Sequence, residues 1–250
     1  MESAEFLYGL GLAIHIRTTR IENFHVAYSY ISGVALSIGS DVFEVLPDGN
    51  LVVNGDYLPH DVSTRDEMVL SDSFPSFLSV RKEMMGKQKK IIQYNLSFVN
   101  MSNNIHIRSN TKTKMIFVDV EGHFPNSVGL LGSSAGDKKG LLARDGVTDF
   151  TGEWNTFGEE WQVKDIDQKL FIENREPQYP KGCRYSAQKS SHLRQSRRRL
   201  LMENDTDNKM TVALATSVCA ESPEGRKKDF CIADVMATGD KDLADDRFYN

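Results

Sequence analysis

The chain has 250 residues, a formal net charge of −5, 40% hydrophobic and 26% charged residues. Those values argue against a disordered chain, and no apolar run approaches the roughly 20 residues that span a bilayer. An acidic balance gives no reason to expect nucleic acid as a partner.

The first residues, Met1-Glu2-Ser3-Ala4-Glu5-Phe6, carry acid where an export signal carries base, so no such signal is visible. From Phe6 to about Val163 the chain reads as strands broken by turns. Leu12, Ile14, Ile16 and Thr18 alternate with Ala13, His15 and Arg17, the period of a half-buried strand. Val34, Leu36 and Ile38 repeat the pattern. Pro47-Asp48-Gly49-Asn50 and Asn54-Gly55 are turn signals on either side of a short strand, Leu51-Val52-Val53. Both residues of the second turn tolerate positive φ, which suits a tight hairpin.

Ile92, Tyr94, Leu96 and Phe98 alternate in turn, and Ile105, Ile107 and Met115 to Val120 supply two further strands. Short strands with frequent turns predict a mainly β fold, an antiparallel sandwich or curved sheet. After Pro180 the composition changes. Lys181 to Leu200 holds seven Lys or Arg residues and no Asp or Glu. Arg194, Arg197, Arg198 and Arg199 read as a solvated linker, a processing site, or a patch for acidic polysaccharide or lipid headgroups. Met210 to Ala220 and Lys227 to Ala237 are helix-compatible, with Phe230, Ala233, Val235 and Met236 as the apolar face of the second. Gly239 ends it, and Asp240 to Asp246 adds an acidic turn that does not meet the calcium-loop pattern. The organisation predicted is a β domain over 6–180, a basic linker over 181–205 and a small helical tail over 206–250.

Motifs of catalysis are missing. Asp137 follows Gly136 where a phosphate loop needs Lys, and no nucleophile elbow or H-E-x-x-H pair occurs. The aromatic group Phe150, Trp154, Phe157 and Trp161 reads as core anchors, with Gly158 at a tight bend aiming the rings inward. Three sequons, at Asn95, Asn100 and Asn204, permit glycosylation, although chance alone accounts for about two. Three cysteines, Cys183, Cys219 and Cys231, are too few for a disulfide framework, and their count leaves reduced buried thiols open.

One ordered set of motifs goes further. Gly129-Leu130-Leu131-Gly132-Ser133-Ser134-Ala135-Gly136-Asp137 leads through Ala143-Arg144-Asp145-Gly146 to Asn155-Thr156-Phe157-Gly158-Glu159-Glu160-Trp161-Gln162-Val163. With the earlier Gly9 to Thr18 strand, Ser29 to Val45 and Val53-Asn54-Gly55, it resembles a von Willebrand factor type D domain over about residues 8–163. The resemblance implies a noncatalytic extracellular or cell-surface module of a larger protein, binding protein or glycan. It gives Gly129, Gly132, Gly136, Trp154, Phe157, Gly158 and Trp161 structural roles. It also implies a bridge between Cys219 and Cys231, which would close a short hairpin and contribute about 3 kcal/mol.

The departures matter as well. The family's Gly-Asp-Pro-His start and the two cysteines of its central turn are missing. Of the calcium ligands that the resemblance implies, Ser133, Asp137 and Asp145 are the oxygen donors left. They are too few for six to eight ligands, so a degraded or empty calcium site is expected.

Overall fold

A computed structural model of the protein describes residues 3–21, 28–57, 68–69, 78–85, 91–98, 102–132, 140–163, 170–172, 211–223, 225–239, 241 and 244. The chain divides into two compact units, Met1–Thr19 with Tyr30–Glu176, and Arg20–Ser29 with Pro177–Asn250. The basic stretch expected over 181–205 lies outside the described residues.

The first unit is built on two antiparallel sheets. In one, β1 (Ser3–Gly9), β2 (Leu12–Ile21), β3 (Tyr28–Ile38), β4 (Asp41–Val45), β5 (Leu51–Val53) and β6 (Asp56–Tyr57) lie side by side in chain order. In the other, β7 (Met68–Val69), β8 (Leu78–Met85), β9 (Ile91–Phe98), β10 (Asn104–Asn110) and β11 (Met115–Glu121) do the same. Within each sheet every strand therefore pairs with its sequence neighbour, and β1/β2, β3/β4 and β5/β6 are joined by two-residue turns. Asn54 and Gly55 have φ of 50° and 94°, the backbone of a turn whose twist matches the flanking strands. Leu10 and Gly11, at 55° and 74°, turn β1 into β2 in the same way.

The expected alternation is present in both sheets. Leu12, Ile14, Ile16, Val34, Leu36 and Ile38 enter one buried cluster with Tyr94, Leu96, Phe98, Ile105 and Ile107 of the second sheet. A polar latch joins the sheets at the edge of that cluster. The Tyr94 hydroxyl donates to the Gly49 carbonyl at 2.8 Å, and Ser109 Oγ donates to the Pro47 carbonyl at 3.1 Å. A β-carbon on Gly49 would stand 2.5 Å from Ile92 Cδ1, so only glycine lets this turn sit against β9. Burial, and then the Asp48 carboxylate, push the Tyr94 hydroxyl well above its ordinary range, so it stays a donor.

Two expectations about the aromatic group fail. Residues 154–160 form a helix, α1 (Trp154–Glu160), and Gly158 lies inside it rather than at a bend. Phe157 and Trp161, four residues apart, share one helix face and are buried. Trp154 is 69% exposed. Helical side chains lean toward the N-terminus, so the first residue of α1 projects off the end of the helix. Phe150 packs instead against Phe157, with ring centroids 6.4 Å apart.

In the second unit, α2 (Val212–Val218) and α3 (Arg226–Thr238) form a hairpin. Thr211 caps α2 by accepting from the Leu214 N–H at 3.2 Å, and Gly239, at φ 68°, ends α3. A disulfide joins Cys219 to Cys231 with their α-carbons 6.0 Å apart. Cys231 lies on the face of α3 that turns inward. Cys231, Asp234 and Val235 are buried, whereas Phe230 is 60% exposed and Ala233 is exposed. Of the apolar face expected from Phe230, Ala233, Val235 and Met236, Val235 is buried and Met236 half-buried, while Phe230 and Ala233 point outward, since residues along a helix are set about 100° apart.

Gly129 marks the tightest backbone contact in the first unit. Its φ is 145°, and an added β-carbon would meet the Phe6 carbonyl oxygen at 2.5 Å. Gly129→Ala is expected to destabilise the first unit by about 2–3 kcal/mol. Gly146→Ala, at a turn with open space around it, should cost less than half as much. Denaturant titration of the two variants checks the contrast.

Candidate functional site

The buried charges of the first unit gather where β1 and β2 meet the segment after the central glycine turn. Glu5 and His15 are register partners across the two strands. Both are buried, and His15 Nε2 stands 3.9 Å from Glu5 Oε1. Arg144 reaches in from the Ala143-Arg144-Asp145-Gly146 turn, and its Nη1 donates to Glu5 Oε2. Its Nε donates to the Glu160 carbonyl at 3.2 Å. The guanidinium carbon lies 4.9 Å from the centre of the Trp161 ring, within the range where a cation is attracted to an aromatic face. Trp161 Nε1 in turn donates to the Leu142 carbonyl at 3.2 Å.

Backbone bonds run through the same place. The Glu5 N–H donates to the Trp161 carbonyl at 2.9 Å, and the Leu130 N–H donates to the Glu5 carbonyl at 3.2 Å. Tyr8 and Val128 exchange both their bonds, at 2.7 and 2.9 Å. The Val163 N–H closes the set by donating to the Ser3 carbonyl at 3.0 Å. The outer edge of β1 is thereby covered by two segments, one around Gly129 and one around Trp161. These are the two stretches that carry the family resemblance.

Burial pushes the Glu5 carboxyl up, but the His15 ring and the Arg144 guanidinium more than offset it and hold it below its ordinary value. The cluster acts as a fastening. One carboxylate, fixed by a cation, ties the first strand to the Arg144 turn.

A second contact lies nearby. Leu170, Phe171 and Ile172 form a short strap. The Leu170 N–H donates to His15 Nδ1 at 3.4 Å, and the Ile172 N–H donates to Glu44 Oε2 at 2.9 Å. Phe171 is buried between Arg17, whose guanidinium carbon is 4.1 Å from the ring centre, and Gly33.

The residues singled out by the sequence are distributed differently. Ser133, Gly136, Asp137, Asn100, Asn204, Arg194, Arg197, Arg198 and Arg199 lie outside the described residues. Asp145 organises its own turn. Its Oδ1 accepts from the N–H groups of Val147 and Thr148, both at 2.8 Å, and its Oδ2 accepts from Thr148 Oγ1 at 2.7 Å. Those bonds hold its carboxyl below the ordinary range. Among the described residues, no group of three or more His, Cys, Asp or Glu is arranged to hold a metal ion. Asn95 is half-buried, and its Oδ1 accepts from Gln93 Nε2 at 2.5 Å and faces His106 Nδ1 at 2.7 Å. Gly132, at φ 87°, turns the chain just after Gly129.

Sequence reading assigned no role to Glu5, His15, Glu44 or Arg144. The available signal was His15 and Arg17 alternating with buried aliphatics on β2, which places polar groups on the face opposite the core. Nothing local marks that face as covered.

No family model matches the sequence, and no curated protein matches it. Among the described residues, no helix is long and apolar enough to cross a membrane.

Glu5 is an acid with a depressed pKa, so its contribution to stability is present above the unfolded value, near 4.3. It is lost as pH falls through the folded value. The melting temperature of the chain should therefore drop on acidification below about pH 4. Glu5→Gln is expected to lower stability at pH 7 and to flatten that acid limb. An unchanged acid limb would remove Glu5 from the account.

Proposed function

We propose that this chain is a noncatalytic extracellular interaction module of a larger secreted or cell-surface protein, similar to a von Willebrand factor type D domain. Its partner is an extracellular protein or glycan, bound through surface complementarity with sheet edges and loops. The observation that carries this reading is the Cys219–Cys231 disulfide, since bonds of this kind persist in oxidising compartments and are rare where thiols are kept reduced. A second support is that the Gly129 and Trp161 stretches, whose order underlies the resemblance, converge on one strand edge. The buried charges of the unit are engaged in fastening, which suits a body meant to be held.

The chemistry is testable on protein from its native source. Non-reducing digestion and mass mapping should recover the peptides of Cys219 and Cys231 joined, with a glycan on at least one of Asn95, Asn100 and Asn204. Three free thiols would overturn the extracellular reading.

The basic run favours a second reading, a module for acidic polysaccharide or anionic lipid. Seven cations without an acid in twenty residues supply the electrostatic attraction it needs. Replacing Arg197, Arg198 and Arg199 by Gln should then abolish retention on a sulfated polysaccharide column at low salt. Unchanged retention would eliminate this reading.

A further inference from the structure

We propose that Leu170–Ile172 is an acid-released strap whose catch is the Nδ1 atom of His15. The strap is held at three points. The Leu170 N–H donates to His15 Nδ1, the Ile172 N–H donates to Glu44 Oε2, and the Phe171 ring sits beneath the Arg17 guanidinium. A β-carbon on Gly33 would stand 3.3 Å from Phe171 Cε1, so the ring lies directly on β3.

The first of these points depends on protonation. An imidazole nitrogen accepts a hydrogen bond only when it carries no proton. With the Leu170 N–H aimed at Nδ1, the neutral ring carries its proton on Nε2, the atom that faces Glu5 Oε1. Adding a second proton makes both nitrogens donors. Nδ1–H then opposes the Leu170 N–H, two donors with no acceptor between them. A part-buried donor facing another donor loses its hydrogen bond.

Four charged groups lie around the ring and the strap. Glu5 on β1 faces Nε2, and Arg144 takes that carboxylate from its other side. Arg17, two positions along β2, lies over Phe171, and Glu44 on β4 takes the other end of the strap. Glu5 keeps its charge at pH 5 because its carboxyl is held below the ordinary value. Acid therefore strengthens the bond between β1 and β2 in the same step that breaks the catch. The strap is released at its Leu170 end while the sheet stays closed. Histidine is the residue type suited to such a catch, because its ring can switch from accepting to donating at the same nitrogen.

The test is amide hydrogen exchange on the full chain at pH 7.5 and pH 5.0, expressed as protection relative to intrinsic rates. Protection of the Leu170 amide should fall about tenfold at pH 5.0, while that of Ile14 and Leu36 in the core changes less than twofold. His15→Asn keeps an oxygen near the Nδ1 position and cannot titrate, so its strap should hold equal protection at both pH values. Should that variant fail to fold, nitrogen NMR of the wild-type imidazole replaces it. Nδ1 must then gain its proton with the same midpoint as the Leu170 exchange transition. Unchanged protection of Leu170 between the two pH values, an equal fall in His15→Asn, or differing midpoints would each overturn the proposal.

Discussion

The outer edge of β1 is the constraint on which the first unit depends. A strand at the edge of a sheet presents unpaired N–H and C=O groups, and burying them without partners is costly. Here the edge is satisfied by chain more than a hundred residues away. Segment 128–131 bonds to Glu5, Phe6 and Tyr8, and segment 161–163 bonds to Ser3 and Glu5. The side-chain fastening sits on the same residue, Glu5, whose carboxylate takes the Arg144 guanidinium. Backbone and side chain of one glutamate thus both tie the beginning of the unit to its end.

That arrangement explains two features which are otherwise unrelated. Gly129 has to be glycine because its backbone passes against the Phe6 carbonyl, and no chain with a β-carbon can approach so closely. Trp161 is almost wholly buried because its ring underlies the guanidinium while its carbonyl accepts from Glu5. The two segments close one edge from two directions. Loosening either would leave donors and acceptors of β1 without partners.

The alternative faces of the first sheet divide the labour. One face contributes aliphatics to the cluster shared with the second sheet. The other carries Glu5, His15 and Glu44, all buried under later chain. Buried ionisable groups need partners that satisfy them, and here those partners come from the Arg144 turn and the 170–172 strap. The covering segments are therefore specified by hydrogen bonding as well as by packing. In the second unit the Cys219–Cys231 bond lies on the buried stripe of α3, with Phe230 outside it.

The sequence by itself determined the mainly antiparallel β character, the strands β2, β3, β5, β9, β10 and β11 with the core-facing residues of β2, β3, β9 and β10, the Asn54-Gly55 hairpin and the two tail helices, whereas β1 and β8 were not read from it. The features it determined follow from local causes, namely the period-two alternation, turn residues that accept positive φ, and Gly239 ending a helix. Only the tertiary structure decided that 154–160 is helical with Trp154 outward, that α3 turns Phe230 to solvent, and that Glu5, His15 and Arg144 meet. Glu5 and Arg144 are 139 positions apart, and no short-range pattern encodes a pairing over that distance. Periodicity reports which face a side chain takes; what later comes to cover that face depends on how the whole chain closes.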